Sequence, residues 1–224
     1  MENILAPSIL SADFNILGQQ IQMIEKAGAK YLHFDVMDGH FVDSISFGMP
    51  VLTSIRNSTH MVMDVHLMVE EPIRYVQAFA QAGADILTVH IEACSDILLT
   101  VNAIRHQGMK VGVTLRPETP IESVYPILPH VDMILIMSVS PGYGGQPFIP
   151  ESYDRIRQLK EKINQEHLNI DIEVDGGINL KNVSEVRKAG ANVFVAGSAV
   201  FHGDIEQNVK DFLEQMNHGI PLVS

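Results

Sequence analysis

In the segment HFDVMDGHF, residues 33–41, His33 and Asp35 stand two apart in a short run of otherwise apolar residues. Residues two apart on a β-strand project from the same face, so an imidazole and a carboxylate would sit side by side there. The pattern returns along the chain: MDVHLMV places His66 near the end of another such run, and DIEVDGG ends a third at Asp175. Two imidazoles and two carboxylates form a mixed nitrogen and oxygen donor set. It suits one Zn²⁺, Fe²⁺, Mn²⁺ or Co²⁺ and is too rich in nitrogen for Mg²⁺ or Ca²⁺ as first choice. Asp38 is out of phase with the pair and stands in a DG turn, which gives it a loop role. Ser8 and His90 close two further runs.

These side chains meet only if the elements that carry them meet. A phrase repeats in EKAGAKYLHFD, QAGADILTVH, RHQGMKVGVTL and RKAGANVFVAG: a helix end closed by Gly28, Gly83, Gly108 or Gly190, then a short apolar, β-branched run. Glycine fits the left-handed residue that follows a helix. The runs read as nearly continuous apolar strands of a parallel sheet buried on both faces. Strands are expected near 4–9, 31–36, 62–67, 85–90, 110–115, 132–138, 170–175 and 192–196. Helical patterns such as ADFNILGQQIQMIEKAG, with Asp13 as its N-cap, EPIRYVQAFAQAG and PESYDRIRQLKEKINQE lie between them. Eight units in 224 residues leave about 28 residues for each, which favours a single (β/α)8 TIM barrel over residues 1–224 rather than an open doubly wound sheet. In a closed barrel the C-terminal strand ends share one rim, where active sites of this architecture lie, and His33, Asp35, His66 and Asp175 would gather there.

The late loops carry a second signal. PGYGGQ, DGGIN and AGSAVF follow the last three expected strands. Exposed backbone N–H groups and a helix N-terminus in that region suit a phosphate. PGYGGQ lacks the Lys-Ser/Thr ending of a nucleotide P-loop. Met37, Met68 and Met137 fall at strand ends beside the expected cluster. They fit two roles, core filling and a soft apolar wall that keeps water from an anionic intermediate.

Composition narrows the partners. With 15 Lys+Arg against 27 Asp+Glu the net charge is −12, which argues against nucleic acid and anionic membranes and for a small molecule. VDMILIMSV, residues 131–139, is well short of the ~18 residues a membrane helix needs, and ILAPSIL lacks the basic flank of a signal peptide. One cysteine, Cys94, suits a reducing compartment, so a cytoplasmic location is expected.

PSILSADF, HFDVMDGHFV, VHLMVEEP, PGYGGQPFIPE, VDGGIN and VAGSAVF, in this order and over nearly the whole chain, resemble the ribulose-phosphate 3-epimerase family. The resemblance implies one divalent metal on His33, Asp35, His66 and Asp175. It makes Asp35 and Asp175 the acid and base that invert C3 of D-ribulose 5-phosphate through a 2,3-enediolate, giving D-xylulose 5-phosphate. It also implies that Ser8 and His66 contact substrate, that Gly142, Tyr143, Gly144 and Gly145 close over it, and that Gly176, Gly177, Gly197 and Ser198 take the phosphate. Relatives form dimers or hexamers, and the apolar IPLVS at residues 220–224 could join such a contact. Asp43, Ser44, Arg116 and Ser140 depart from the family's usual residues at positions expected to border the substrate. D-allulose 6-phosphate, one carbon longer, is therefore a second candidate. Two alternatives lie in other classes. Decarboxylases on this barrel carry Asp-x-Lys-x-x-Asp in the third strand, where this chain has His66 and Val69, and a barrel that only binds a sugar phosphate would leave the carboxylates without a task.

Overall fold

The computed structural model of the protein describes residues 2–217. The IPLVS segment lies outside the described residues. Eight parallel strands form one sheet: β1 (Ile4–Pro7), β2 (Tyr31–Met37), β3 (Val62–Met68), β4 (Ile86–His90), β5 (Lys110–Leu115), β6 (Met133–Met137), β7 (Asp171–Asp175) and β8 (Val193–Ala196). The strands pair in the order β1-β8-β7-β6-β5-β4-β3-β2, and a parallel bridge between Ser8 and His33 joins the two ends into a barrel. Every expected strand is present within two residues of its expected bounds.

Around the strands lie α1 (Leu17–Lys26), α2 (Met49–Arg56), α3 (Val76–Ala82), α4 (Ile97–His106), α5 (Ser152–Gln165), α6 (Val183–Ala189), α7 (Ser198–Phe201) and α8 (Ile205–Asn217). Each long helix buries one stripe, as Ile156, Leu159 and Ile163 of α5 and Ile205, Val209, Phe212 and Met216 of α8 show. Between β5 and β6 the connection is a run of 3₁₀ turns, Ile121–His130, because Pro126 and Pro129 lack the N–H groups an α-helix would use there. Asp13 caps a short 3₁₀ turn, Phe14–Ile16, and α1 begins after it rather than at Asp13. Gly28, Gly83, Gly108 and Gly190 all have positive φ, as a residue following a helix requires. No helix among the described residues is long and apolar enough to cross a membrane.

The strands are buried on both faces, as expected, and β6 and β8 are apolar on both, but β2, β3 and β7 are not. In β2, Leu32, Phe34 and Val36 belong to the apolar layer that includes the helices, whereas His33 and Asp35 occupy the alternate positions. The same alternation sets Val65 and Leu67 against Asp64 and His66 in β3, and Ile172 and Val174 against Glu173 and Asp175 in β7. The main core is therefore the layer between sheet and helices. The barrel interior is largely polar above a small apolar cluster of Ala6, Tyr31, Ile86, Met133, Val193 and Val195.

That interior is tightly filled at β4 and β5. A Cβ placed on Gly112 would lie 2.0 Å from Thr88 Oγ1 and 2.9 Å from Thr88 Cβ, so a side chain there needs one strand to move. Gly112→Ala is expected to destabilise the protein by about 1–3 kcal/mol, as overpacking of a filled interior does. Thr88→Ala added to it should recover part of the loss by removing the nearest contact. Denaturant midpoints of the three proteins check this, and an unchanged midpoint for the single variant would contradict it.

Candidate functional site

The strand period and the barrel bring four of the predicted side chains into one buried cluster. Ligand-capable atoms of His33, Asp35, His66 and Asp175 all lie within 4.8 Å of one another. His33 Nε2 is 3.3 Å from Asp35 Oδ1, and His66 Nδ1 is 3.2 Å from Asp35 Oδ1 and 4.0 Å from Asp175 Oδ2. Both imidazoles are fully buried, whereas the side chains of Asp35 and Asp175 are 5% and 18% exposed. The aspartates line the cavity above, and the histidines sit beneath them.

Each group's electrostatic setting differs. Burial opposes the charge on His33, but the carboxylates of Asp35 and Asp64 outweigh it and hold the imidazole's pKa well above its ordinary value. Burial also works against ionisation of Asp35. The opposing charges and hydrogen bonds of His33 and His66 prevail and hold its carboxyl below the usual range. Asp175 lacks that compensation. Burial, then the negative charge of Asp35, push it up to about 6. Ser8 Oγ donates to Asp35 Oδ2 at 2.6 Å, fixing that carboxylate from the β1 side.

The fit to a cation can be judged from the donors themselves. His33 Nε2 is buried and has no hydrogen-bond partner of acceptable geometry, yet it points into a group containing two carboxylates. A buried polar atom without a partner is costly, and a cation at this point would satisfy it while neutralising the aspartate pair. The residues present fit a divalent metal.

Behind the cluster is a further set of polar groups, in which His90 was expected at a strand end but Asp64 and Glu173 were not singled out. His33 Nδ1 is 2.6 Å from Asp64 Oδ2 and 3.5 Å from Glu173 Oε1, and all three residues are fully buried. Burial and the charge of Asp64 raise the carboxyl of Glu173 well above its ordinary value, which favours its neutral form. His66 Nε2 meets His90 Nε2 at 3.0 Å. Burial brings His90 down to about 4, outweighing the pull of Glu92. The signal for Asp64 and Glu173 was available: each stands two residues before a predicted ligand, His66 or Asp175, and so on the same face of its strand.

The cavity above the aspartates holds about 540 Å³. Ser8, Met37, Met68, Met137, Gly142, Tyr143, Gly144, Gly145, Gly176, Gly177, Gly197 and Ser198 all line it. The three methionines are at most 5% exposed, so they pack against neighbours and wall the cavity at once. Tyr143 is 63% exposed and stands at the rim. At the far end, the Gly197 carbonyl accepts the Val200 and Phe201 N–H groups at the start of α7, and the N–H groups of Ser198 and Ala199 precede that first intrahelical bond. Gly177 has φ +65°, and a Cβ on it would lie 2.4 Å from Phe148 N, so only glycine lets the loops after β6 and β7 stack this closely.

Asp38 takes the loop role expected of it, accepting N–H groups from His40, Phe41 and Glu70. Of the four positions thought to border the substrate, only Ser140 lines the cavity. Arg116 is held elsewhere: its guanidinium lies 4.3 Å from the Phe41 ring and donates to the Phe41 carbonyl at 2.7 Å, in a separate groove. Asp43 and Ser44 sit in the loop after β2, where the Ser44 carbonyl accepts the Gly39 N–H.

Solved structures with this architecture include KGPDC from Streptococcus mutans, with TM-score 0.69, 11% identity and coverage of 97% of this chain and 98% of that one. A tryptophan synthase alpha-subunit from Pyrococcus furiosus has TM-score 0.68 and 15% identity, covering 96% of this chain and 99% of that one. At such identities they speak to the fold alone. Sequence relatives go further. Ribulose-phosphate 3-epimerase of Bacillus subtilis is 48% identical over 198 residues, 88% of this chain and 91% of that protein. Its Escherichia coli K12 counterpart is 42% identical over 222 residues, 99% of this chain and 97% of that protein. The model of the ribulose-phosphate 3 epimerase family matches residues 4–201, a span that runs from β1 through the whole cluster to the end of α7. On that span, and with relatives this similar over nearly their full length, the chain belongs to the ribulose-phosphate 3-epimerase family.

Proposed function

We propose that the chain inverts C3 of D-ribulose 5-phosphate to give D-xylulose 5-phosphate, with Asp35 and Asp175 as two separate proton carriers. The observation that carries this reading is the unequal pair of buried carboxylates on the cavity floor, one held ionised and the other pushed up to about 6. The proton at C3 of a 2-ketose is weakly acidic, and its removal leaves charge spread over the C2 and C3 oxygens. A Zn²⁺, Fe²⁺, Mn²⁺ or Co²⁺ held by His33, Asp35, His66 and Asp175 would stabilise that charge as a Lewis acid.

The chain's own residues do the rest. Asp35, ionised and oriented by the Ser8 hydroxyl, accepts the C3 proton. Asp175, the more readily protonated of the two, returns a proton from its own strand, and the roles exchange in reverse. Met37, Met68 and Met137 keep water off the planar intermediate. Backbone N–H groups around Gly176, Gly177, Gly197 and Ser198 hold the phosphate, and the segment Gly142 to Gly145 covers it. Remote binding of the phosphate then orients the reacting carbon. The reading extends to one barrel domain acting as a cytoplasmic homo-oligomer, and light scattering that returns only monomer would remove the oligomer from it.

The fate of the single C3 hydrogen, followed by NMR in D₂O, tests the two carriers. Product should carry deuterium at C3 from the first turnover, and substantial retention of the original hydrogen would reject separate carriers. Asp35→Asn and Asp175→Asn should each lower epimerisation by about 10²–10⁴. A variant that keeps its metal should still exchange the C3 proton of one epimer only, so metal content is measured alongside.

Metal uptake is tested by its proton balance. A ligand imidazole must shed the proton its carboxylate neighbours stabilise, so binding to the stripped protein should release protons, His33 among their sources. As pH falls through about 6, Asp175 gains a proton that must also leave, so metal affinity drops further below that point. Calorimetry in buffers of different ionisation enthalpy reads both, and pH-independent binding would contradict the ligand set.

A further inference from the structure

We propose that Ser138, Asn179 and Asn182 are positioning residues that aim the N–H groups of Gly177 and Ile178 at the phosphate, and that Ile178 thereby joins the groups that bind it. The inference rests on the phosphate reading above and concerns what orients those N–H groups. Gly176 and Gly177 follow Asp175 directly and have φ +122° and +65°. Two glycines in succession leave their peptide planes free to turn, so neighbouring groups must choose the direction of each N–H.

The carbonyls record that choice. Ser138, the first residue after β6, is fully buried, and its hydroxyl is shared between the carbonyls of Gly176 at 2.7 Å and Asp175 at 2.9 Å. The Gly177 carbonyl accepts from Asn179 Nδ2 and Asn182 Nδ2, both at 2.9 Å. Neither amide can turn over without loss. Asn182 Oδ1 accepts the Asn179 N–H and Asn179 Oδ1 accepts the Lys181 N–H, each at 2.9 Å, so each Nδ2 is left to face Gly177. The C=O and N–H of a trans peptide point in opposite directions. Ser138 and Asn182 stand outside the cavity lining, whereas Gly176, Gly177 and Ile178 belong to it. With its carbonyls tied back, the segment turns the Gly177 and Ile178 N–H groups to the cavity side. Among the described residues nothing accepts either one. Two adjacent N–H groups left open on a cavity wall suit the acceptor oxygens of a phosphate.

Two variants remove the braces from behind. Asn182→Asp keeps an oxygen to accept the Asn179 N–H but has no hydrogen for the Gly177 carbonyl, and Ser138→Ala takes the hydroxyl from Gly176 without adding charge. The full-length, metal-loaded protein is given D-ribulose 5-phosphate, inorganic phosphate as a competitive inhibitor, and unphosphorylated D-ribulose, whose C3 exchange is followed by NMR in D₂O. In each variant KM for D-ribulose 5-phosphate and the inhibition constant of inorganic phosphate should rise together by about 10–100-fold, the worth of a hydrogen bond to a charged group. C3 exchange of D-ribulose, which has no phosphate to place, should match wild type. A merely structural role would lower turnover of both sugars together. Should Ser138→Ala not fold, Asn182→Ala replaces it as the uncharged variant. A folded variant that inorganic phosphate inhibits as strongly as wild type, or one that loses D-ribulose exchange in step with phosphate binding, overturns the proposal. Wild type that inorganic phosphate does not inhibit rejects the phosphate reading itself, and this proposal falls with it.

Discussion

The centre of this barrel depends on buried imidazoles lying directly against buried carboxylates, His33 against Asp35 and Asp64 and His66 against Asp35. Both rings are fully buried, so these partners rather than solvent must balance any charge they carry. Packing a carboxylate behind His33 turns Nε2 toward the aspartates, but it also puts negative charge inside a barrel that already holds Asp35 and Asp175. Burial of Glu173, beside Asp64, favours its neutral form and so opposes a further addition to that load. The polar interior contributes little apolar burial of its own. Stability must come from the outer layer, where Leu32, Phe34, Val65, Leu67, Ile134 and Phe194 pack with the helices.

The same constraint divides the labour between two otherwise identical side chains. Asp35 lies against both imidazoles and the Ser8 hydroxyl, whereas Asp175 stands at the more open end of the cluster, farther from His66. Their different surroundings separate their affinities for a proton, which is what an acid and base pair working on one carbon needs. The chemistry is thus encoded in which strand carries each aspartate, β2 or β7, rather than in the side chains themselves.

Much of this could be read from the residues. The four clustered ligands follow from strand periodicity together with a shared rim, and the helix-closing glycines mark where each strand begins. The limits of that reading are equally specific. Runs such as YLHFDVM look apolar throughout because two of the inward residues, Tyr31 and Met37, are themselves apolar or nearly so, which hides the alternation. Asp64 and Glu173 share a face with predicted ligands, but nothing local distinguishes a residue behind the centre from one beside it. Glu92 joins the centre only through the ring of His90, a contact that no spacing encodes. Arg116 follows a strand end, as a substrate neighbour would, yet its side chain folds back over Phe41.

The Ser8–His33 bridge sets an order of events for a chain leaving the ribosome. Residues Ile4 to Pro7 pair along their length with Val193 to Ala196, so the first strand made is bonded to the last. Until β8 emerges, β1 has no strand to hold it on that side, and only the single bridge ties it to β2. Ser8 is therefore held from both sides, by β8 and against Asp35, only once β8 has been made, whereas β2 and β3 are available early and pair over seven residues each. The half-built protein would carry its histidines on a twisted, open sheet with exposed edges, and it would acquire a working rim only at the moment the seam shuts.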